Sequence, residues 1–399
     1  MDKIILIGNH PNDGHESMDR FVNLLWQGLK ERGVEVEVLK PKRFLARLCH
    51  RGTGMGKWLA YFDKFVVFPR ILKRRLKQLQ DSSVSFIVHF CDQTCGVYAS
   101  SVFEFPHVVT CYDLISIRSA LDEFPGYPTR ATGKIYQKLM LNGLRQASTV
   151  VCISETTRAD FLRLTGTKGQ NVSVVKLALN YPYRPMSSEA ARPLIDSVFH
   201  RCGIKRPDHY LFHVGGNHWP KNRPGLIRIY QALTRISEPP PLVLAGQQPS
   251  LELQTLIRSE NLQSRVFAVG KVSNEELNAL YSQAEALVFP SLYEGFGWPV
   301  IEAQACGCPV IVSDIEVLKE IAGDSVCYIP LSDIPTAAVA IRAFLALPQT
   351  EKTAQVNKGF QNAATYSVSR MLDEYLKVYR SICPPTHAKV TYQIEERPS

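Results

Sequence analysis

The chain has 399 residues, a length that predicts two domains, each large enough to bury its own core. Its hydrophobic content of 45% and charged content of 21% are typical of a globular protein. Lys and Arg outnumber Asp and Glu by 46 to 37, which favours anionic ligands such as nucleotide diphosphates, lipid phosphates or an anionic membrane face. No nucleic-acid recognition motif occurs, so we expect no nucleic-acid partner.

The ten cysteines show no paired spacing of the kind that binds zinc, and several fall inside strand-like apolar runs. We therefore expect a reduced, cytoplasmic protein without a metal site. The N-terminal apolar run is too short for a signal peptide, and no run is long enough to span a bilayer.

Alternating strands and helices in the first part of the chain predict a doubly wound parallel sheet. The predicted strands are residues 3–8, 34–39, 84–90, 108–111 and 150–153, and helices are predicted at 18–32 and 133–147. Ser154, directly after the last of these strands, is expected to cap the helix that follows it.

A basic and aromatic stretch, residues 42–77, lies between the second and third of these strands. It combines aromatic residues such as Trp58 and Tyr61 with cations such as Lys73 and Arg74. One interpretation is peripheral contact with an anionic membrane or a lipid-phosphate acceptor, because cations beside exposed aromatics bind such surfaces. The other is a solvated helix that covers the sheet with its aromatic side chains in the core. Both interpretations stay open.

The strand at 108–111 ends in Tyr112 and Asp113, at the carboxyl edge where open α/β sheets bind ligands. A phenol can donate a hydrogen bond, but its ordinary pKa of about 10 makes it a poor base at neutral pH. Tyr112 is therefore a candidate catalytic residue that would act as a hydrogen-bond donor.

A linker rich in Pro, Ser and Tyr is predicted at residues 179–193, and a second set of strands follows it. The first of these strands runs into a turn formed by Gly215 and Gly216. Two cations, Lys221 and Arg223, come shortly after this turn.

The remaining elements repeat the alternation and predict a second doubly wound sheet. Strands are predicted at 242–246 and 266–270, helices at 336–347 and 368–380, and a polar tail at 383–399. Val272 directly follows the strand at 266–270.

The most informative stretch is 286–313, which is typical of one strand–loop–helix–strand unit. Apolar strands are predicted at 286–289 and 309–312. The glycine-rich loop between them, 291–297, carries Glu294. A helix is predicted to start at Pro299, because proline is favoured at the first helical position.

The start of this helix is a candidate phosphate site. In a first turn, the N–H groups of Val300 and Ile301 would have no intrahelical partners and would carry the positive end of the helix dipole. Gly295 and Gly297 allow a ligand to approach the backbone, since they lack a Cβ atom. Glu302 is expected in the same first turn.

The two carboxylates of this stretch, Glu294 and Glu302, are expected to flank one pocket mouth. There they could accept hydrogen bonds from vicinal hydroxyls. The alternative is that Glu302 only complements the helix dipole and that Glu294 is solvated.

The segment Glu294-Gly-Phe-Gly-Trp-Pro-Val-Ile-Glu302 resembles the E-x7-E motif of the group 1 family of retaining, nucleotide-sugar-dependent glycosyltransferases. The segment at 306–310, CGCPV, also fits that family. The resemblance covers about residues 1–382 and implies the GT-B fold: two doubly wound, Rossmann-like α/β domains that face a central cleft. It implies an acceptor-binding domain at 1–180, a donor-binding domain at 194–365, a helix at 366–382 that crosses back to the first domain, and a tail at 383–399.

The resemblance also implies roles for individual residues. Glu294 would contact the donor sugar, Glu302 the ribose hydroxyls, and the amides of Val300 and Ile301 the diphosphate. The other implied donor-binding residues are Lys221 and Arg223 on the diphosphate, Val272 near the base, Tyr112 in the place usually held by a histidine, and Gly215, Gly216, Gly295, Phe296 and Gly297 in the loops.

The implied activity is transfer of a hexose from a UDP- or GDP-sugar to a hydroxyl of a glycan or lipid-linked acceptor, with retention and without a metal ion or cofactor. Two alternatives remain. A sugar-nucleotide epimerase or hydrolase would release product without an acceptor, and a non-catalytic sugar-nucleotide or glycan-binding protein would bind nucleotide without turnover.

Overall fold

Two six-stranded parallel sheets organise the computed structural model, which describes residues 2–10, 16–42, 59–169 and 171–383. The strands are β1 (Lys3–Ile7), β2 (Glu35–Leu39), β3 (Phe86–Phe90), β4 (His107–Cys111), β5 (Val150–Cys152), β6 (Val172–Val174), β7 (Leu211–Gly215), β8 (Leu242–Gly246), β9 (Val266–Gly270), β10 (Ala286–Phe289), β11 (Val310–Ser313) and β12 (Cys327–Ile329). The first sheet has the order β2-β1-β3-β4-β5-β6, and the second has the order β12-β11-β10-β7-β8-β9.

Helices alternate with the strands along the chain, which confirms the predicted doubly wound α/β class. Those of the described residues are α1 (Glu16–Glu31), α2 (Phe68–Asp81), α3 (Gly96–Ala99), α4 (Ile115–Ala120), α5 (Ala131–Gln146), α6 (Glu155–Thr165), α7 (Ser188–Arg201), α8 (Arg223–Ile236), α9 (Leu251–Ser259), α10 (Asn274–Gln283), α11 (Trp298–Ala305), α12 (Glu316–Ala322), α13 (Ile334–Leu345), α14 (Gln349–Ala364) and α15 (Val368–Ile382).

The central strands of both sheets are largely buried, as the continuous apolar runs predict. Every residue of β3 and β10 is buried. Strand β10 lies between β7 and β11 and pairs in parallel with both. The loops that follow β7 and β10 therefore leave the same edge of the second sheet, side by side. Their positions decide where the candidate site lies.

The chain divides into two compact units. The first comprises Met1–Thr110, Leu139–Val151 and Leu372–Ser399, and the second comprises Cys111–Lys138 and Cys152–Met371. Residues 111–138 and 152–180, which the sequence assigned to the acceptor-binding domain, thus group with the residues of the second sheet.

In the first unit a buried hydrogen-bond network attaches the end of α15. The two ring nitrogens of His89 each lie 2.7 Å from a hydroxyl oxygen, Nδ1 from Tyr379 and Nε2 from Thr110. The Thr110 hydroxyl is also 3.0 Å from that of Tyr375. Burial lowers the pKa of His89 to about 3, so the imidazole is neutral, with one nitrogen donating and the other accepting.

In the second unit, α7 begins inside the stretch predicted as a linker. The side chain of Ser187 accepts a hydrogen bond from the Ala190 amide and caps the helix, and Pro193 lies within it. The predicted end of the linker at residue 193 is therefore wrong, because the Ser187 cap starts the helix despite the later proline.

The basic and aromatic stretch at 42–77 is described only in part, because residues 43–58 lie outside the described residues. In the described part, Phe68, Leu72 and Leu76 of α2 are buried. Tyr61 and Phe62, in contrast, are 50% and 47% exposed. The predicted tail, apart from residue 383, also lies outside the described residues.

No helix of the described residues is long and apolar enough to cross a membrane.

Candidate active site

The structure joins two of the predicted site residues in an ion pair. The ammonium nitrogen of Lys221 donates a hydrogen bond of 2.7 Å to Oε1 of Glu294. It also lies 4.8 Å from the ring centroid of Phe289. The Glu294 side chain is only 11% exposed, so the alternative in which this carboxylate is simply solvated is wrong.

Hydrogen bonds of the backbone and of Asn222 bring these two side chains together. Lys221 ends a 3-10 turn, Trp219–Lys221, and Asn222 then adopts a left-handed conformation with φ of 50°. The amide of Leu292 donates to the Pro220 carbonyl at 2.8 Å, and the Asn222 side chain donates to the Pro290 carbonyl at 3.0 Å. The loop after β7 and the loop after β10 are thereby held side by side.

Tyr112 meets the Glu294 loop through its backbone. A Cβ atom on Gly295 would lie 2.2 Å from the Tyr112 carbonyl oxygen, so only glycine fits there. The Thr157 hydroxyl donates to the same carbonyl at 3.1 Å, and the Ser154 hydroxyl donates to the Gly295 carbonyl at 2.9 Å. The structure thus brings Tyr112 and the Glu294 loop together.

Ser154 also has the capping role expected from the sequence. Its side chain accepts a hydrogen bond from the Thr157 amide at the start of α6. The prediction of a structural role is confirmed, and the contact with Gly295 is an addition that no local sequence pattern indicates.

The helix after the Glu294 loop starts one residue earlier than predicted. It begins at Trp298, with Gly297 as its N-cap at φ of 110°, a conformation that favours glycine. The Val300 amide donates to the Gly297 carbonyl at 3.0 Å, so the expectation that this amide lacks a partner is wrong. Glu302 consequently lies beyond the first turn, which corrects its predicted place.

Glu302 is nearly buried, at 4% exposure, and its carboxylate has partners from two distant segments. Oε1 accepts a hydrogen bond of 3.1 Å from the Asn180 side chain, and Oε2 accepts one of 3.1 Å from the Tyr281 hydroxyl. Burial and the nearby Glu302 charge raise the pKa of Tyr281 well above its ordinary value, so this hydroxyl stays a donor. Sequence reasoning missed Asn180 and Tyr281, since nothing local to either residue indicates the contact.

Arg223 has a different place from the one predicted. It is 1% exposed, and its guanidinium donates to the carbonyl oxygens of Gly215, Ala245 and Gln247 and to the side-chain oxygen of Asn217, at 2.6–3.0 Å. Burial lowers its pKa to about 10, so the group stays charged at neutral pH. The predicted role on a diphosphate is corrected to a structural one, because these bonds direct its N–H groups into the protein.

His213 lies beneath the glycine turn after β7. Nδ1 is 3.0 Å from the Val288 carbonyl, so this nitrogen carries the proton. Nε2 is buried without a hydrogen-bond partner among the described residues, and it would lie 3.4 Å from a Cβ atom on Gly215. Burial, and after it the charge of Arg223, lower the pKa of His213 to about 3.

The other predicted binding residues line the loops or support them. A Cβ atom on Gly216 would lie 2.9 Å from the Gln247 side-chain oxygen, and Phe296 is buried edge-on against Tyr366. Val272, partly buried, precedes Ser273, which caps α10 through a capping box. The Ile301 side chain is fully buried.

Two family models match most of the chain. Residues 199–360 match the model described as "Glycosyl transferases group 1", and residues 18–180 match the one described as "Glycosyltransferase Family 4". The chain belongs to the group 1 glycosyltransferases.

Curated relatives and solved structures agree with this assignment. The glycosyltransferase is 26% identical over 293 residues to O-antigen chain mannosyltransferase B of Escherichia coli, which covers 71% of this chain and 74% of the relative. It is 29% identical over 225 residues to O-antigen chain mannosyltransferase RfbU of Salmonella typhimurium, covering 56% of this chain and 58% of that relative. Sucrose-phosphate synthase from Thermosynechococcus elongatus superposes with a TM-score of 0.74 at 19% identity, over 96% of this chain and 99% of that one, which shows the GT-B fold.

The candidate site combines a cation, a carboxylate and glycine-lined backbone at one sheet edge. Such a set can bind a neutral sugar through the carboxylate and an anionic group through the cation. Within residues 2–10, 16–42, 59–169 and 171–383, no three or more His, Cys, Asp or Glu side chains form a group that could hold a metal ion.

Proposed function

We propose that this glycosyltransferase transfers a hexose from a UDP- or GDP-linked donor to an acceptor hydroxyl, with retention of anomeric configuration. The acceptor would be a glycan or lipid-linked glycan in polysaccharide biosynthesis. The two O-antigen mannosyltransferases among its relatives support this acceptor class and make mannose the first hexose to test. The observation that carries the proposal is the ion pair of Lys221 with Glu294 beside the glycine loop.

Glu294 is the residue proposed to hold the donor sugar. A carboxylate offers about four acceptor positions, so Glu294 can bind Lys221 and sugar hydroxyls together. Because Lys221 neutralises it, the carboxylate can approach an anionic donor at a lower electrostatic cost.

Glu302 is the residue proposed to hold the ribose hydroxyls. The hydrogen bonds from Asn180 and Tyr281 fix the orientation of its carboxylate. The backbone at Val272 remains the proposed contact of the base.

The leaving diphosphate gains negative charge as the glycosidic bond lengthens. We assign its stabilisation to Lys221 and to the positive end of the α11 dipole, because a fixed cation and a fixed dipole act without reorganising. Arg223 is not included, since its donors face carbonyl groups. We also propose that no metal ion or cofactor takes part, which predicts full activity in the presence of a chelator.

A lipid-linked acceptor would place the protein at a membrane surface. The exposed side chains of Tyr61 and Phe62 are followed on α2 by exposed Arg70, Ile71 and Arg74, a combination that suits an anionic bilayer. We therefore propose peripheral membrane contact through the described part of the 42–77 stretch. Co-sedimentation with anionic vesicles tests it, because Arg70→Glu with Arg74→Glu should abolish binding without changing transfer to a water-soluble acceptor.

The decisive experiment compares two carboxamide variants. Glu294→Gln should lower turnover far more than nucleoside diphosphate affinity, whereas Glu302→Gln should weaken that affinity by about tenfold, the value of roughly one hydrogen bond to a charged group. Titration of UDP, GDP and ADP and single-turnover rates with UDP- and GDP-hexoses provide both numbers. An equal loss of nucleotide affinity in both variants would contradict the assignment.

The product distinguishes the proposal from its alternatives. Retention is read from the anomeric proton coupling or, for mannose, from the one-bond carbon–proton coupling of the product. Release of free sugar without an acceptor would indicate the hydrolase alternative instead, and nucleotide binding without turnover of any donor would indicate a binding protein.

A further inference from the structure

Four aromatic rings of the second unit form a continuous cluster next to the ion pair. Trp219 is stacked on Tyr127, with ring centroids 5.7 Å apart and an angle of 8°, and its centroid is 5.2 Å from that of Phe124. The Phe124 ring in turn meets Tyr293 edge-on at 5.7 Å. We call Phe124, Tyr127, Trp219 and Tyr293 the aromatic brace.

Two rings of the aromatic brace are sequence neighbours of the two residues in the ion pair. Trp219 and Lys221 belong to one 3-10 turn, and Tyr293 directly precedes Glu294. Phe124 contacts both Trp219 and Tyr293, so it bridges the two loops. The brace and the ion pair thus join the same two loops at different points.

A charged network fixes the far end of the brace. The Tyr293 hydroxyl donates to Oδ2 of Asp160 at 3.2 Å, and Arg118 donates to the same oxygen at 2.8 Å. The Arg118 guanidinium lies 4.7 Å from the Phe124 ring centroid and 5.4 Å from that of Tyr293. Such cation–π contacts hold both rings in place.

The other end of the brace has no spare room. A Cβ atom on Gly126 would lie 2.6 Å from the indole nitrogen of Trp219, closer than real Cβ contacts. The Trp219 ring cannot yield easily, because Phe124 and Tyr127 already contact it.

We propose that Trp219 is a positioning residue that sets the separation of Lys221 and Glu294, and that the segment 124–127 holds it in place. This inference rests on the proposed function, since it gives the ion pair a role in turnover. Trp219 itself acts only through Lys221 and Glu294. The loop that follows α4 thereby contributes to the geometry of two residues more than 90 positions away in sequence.

The test compares Trp219→Leu with Trp219→Phe, and uses Trp26→Leu as a matched control. Trp26 is a half-buried tryptophan on α1 with a lysine over its ring, outside the aromatic brace. Trp219→Leu should lower kcat by about 10- to 100-fold, the range expected for a misplacement of about 1 Å. Its nucleoside diphosphate affinity should fall much less than kcat, because Lys221 is assigned to the charge that develops on the diphosphate in the transition state rather than to the bound ground state.

Trp219→Phe should recover most of the rate, since it keeps a ring between Phe124 and Tyr127. Gly126→Ala provides a variant that keeps every aromatic residue: its Cβ would displace the indole and should lower kcat by several-fold. A parallel loss of kcat and nucleotide affinity without recovery in the Phe variant would indicate a merely structural role and overturn the proposal.

Hydrogen exchange of the amides at 291–297 provides a readout that does not depend on activity. Exchange should be faster in Trp219→Leu than in the wild type, Trp219→Phe or Trp26→Leu, because the brace restrains this loop. Unchanged exchange would overturn the positioning role even in an active enzyme. If the wild type transfers no sugar from any donor, the proposed function fails, whereas the exchange data still decide whether the brace holds the loop.

Discussion

Two cations that stand two residues apart after β7 have opposite environments. Lys221 is partly exposed and pairs with Glu294, whereas Arg223 is 1% exposed and donates to Gly215, Ala245 and other oxygens of the second sheet's edge. One is available to a ligand and the other holds the turn that places it. Equal charge and adjacent sequence therefore do not predict equal roles.

The residue between them explains the difference. Asn222 has φ of 50° and ψ of 38°, a left-handed conformation, and α8 begins directly after it at Arg223. The reversal at Asn222 turns one side chain toward the loop of Glu294 and the next into the space between β7 and β8. Asparagine tolerates this conformation better than most residues, so the local sequence permits it.

The largest effect is expected from removing the buried cation. Arg223→Met should lower the free energy of unfolding by about 3–5 kcal/mol, because several buried oxygens lose a charged donor. Urea unfolding measures this, and Arg228→Met, at an exposed position of the same helix, is the control. A variant as stable as this control that nevertheless fails to bind nucleotide would assign Arg223 to the ligand after all.

The exposed cation should show the reverse pattern. Lys221→Ala should lower turnover by about 100- to 1000-fold, the usual cost of losing a group that stabilises developing negative charge. Its stability should change by only about 0–1 kcal/mol, as for other partly exposed ion pairs. Lys319→Ala, which breaks an exposed pair with Asp314, is the matched control for both measurements. Near-normal single-turnover rates in Lys221→Ala would place the diphosphate site elsewhere.

The sequence predicted the sheet strands well because their signal is local. The strands at 242–246, 266–270 and 286–289 have the predicted bounds. Each is a continuous apolar run with a glycine or proline at one end, which limits where the strand can end. The start of α7 was missed because residues 179–193 were assigned to a linker from their Pro, Ser and Tyr content, whereas the Ser187 cap starts a helix within that stretch.

The roles of site residues could not be predicted where they depend on contacts between distant segments of the chain. Glu294 and Lys221 were recognisable from their motifs, but their pairing across 73 positions was not. The partners of Glu302, Asn180 and Tyr281, come from segments without any site signal. Arg223 was misassigned because charge can be read from a sequence, whereas the direction of a side chain after a left-handed residue cannot.

His213, which lies beneath both cations, extends the comparison to pH. Its pKa of about 3 in the folded state is below the unfolded value of about 6.5, so the unfolded state binds the extra proton as pH falls. Stability is therefore complete above pH 6.5 and decreases below it, by about 2 kcal/mol at pH 5 for this one group. His213→Phe should reduce the difference in unfolding free energy between pH 7 and pH 5. An unaltered pH dependence in His213→Phe would show that the imidazole is charged in the folded protein.

The smallest effect on catalysis is expected at Tyr112, where a substitution can remove the side-chain hydroxyl and leave the backbone contacts in place. The contacts with Thr157 and Gly295 are made by the Tyr112 carbonyl, which Tyr112→Phe retains. This variant should therefore lose only about 0.5–1.5 kcal/mol of transition-state stabilisation, the value of one hydrogen bond. Gly295→Ala is the opposite case, because its Cβ would collide with that carbonyl and displace the Glu294 loop, and its kcat should fall far more. The ratio of kcat/KM for the two variants measures the difference.

A loss of several thousandfold in Tyr112→Phe would show that the hydroxyl takes part in the chemistry. Recovery of the rate in Tyr112→His would identify Tyr112 as the counterpart of the histidine usual at this position.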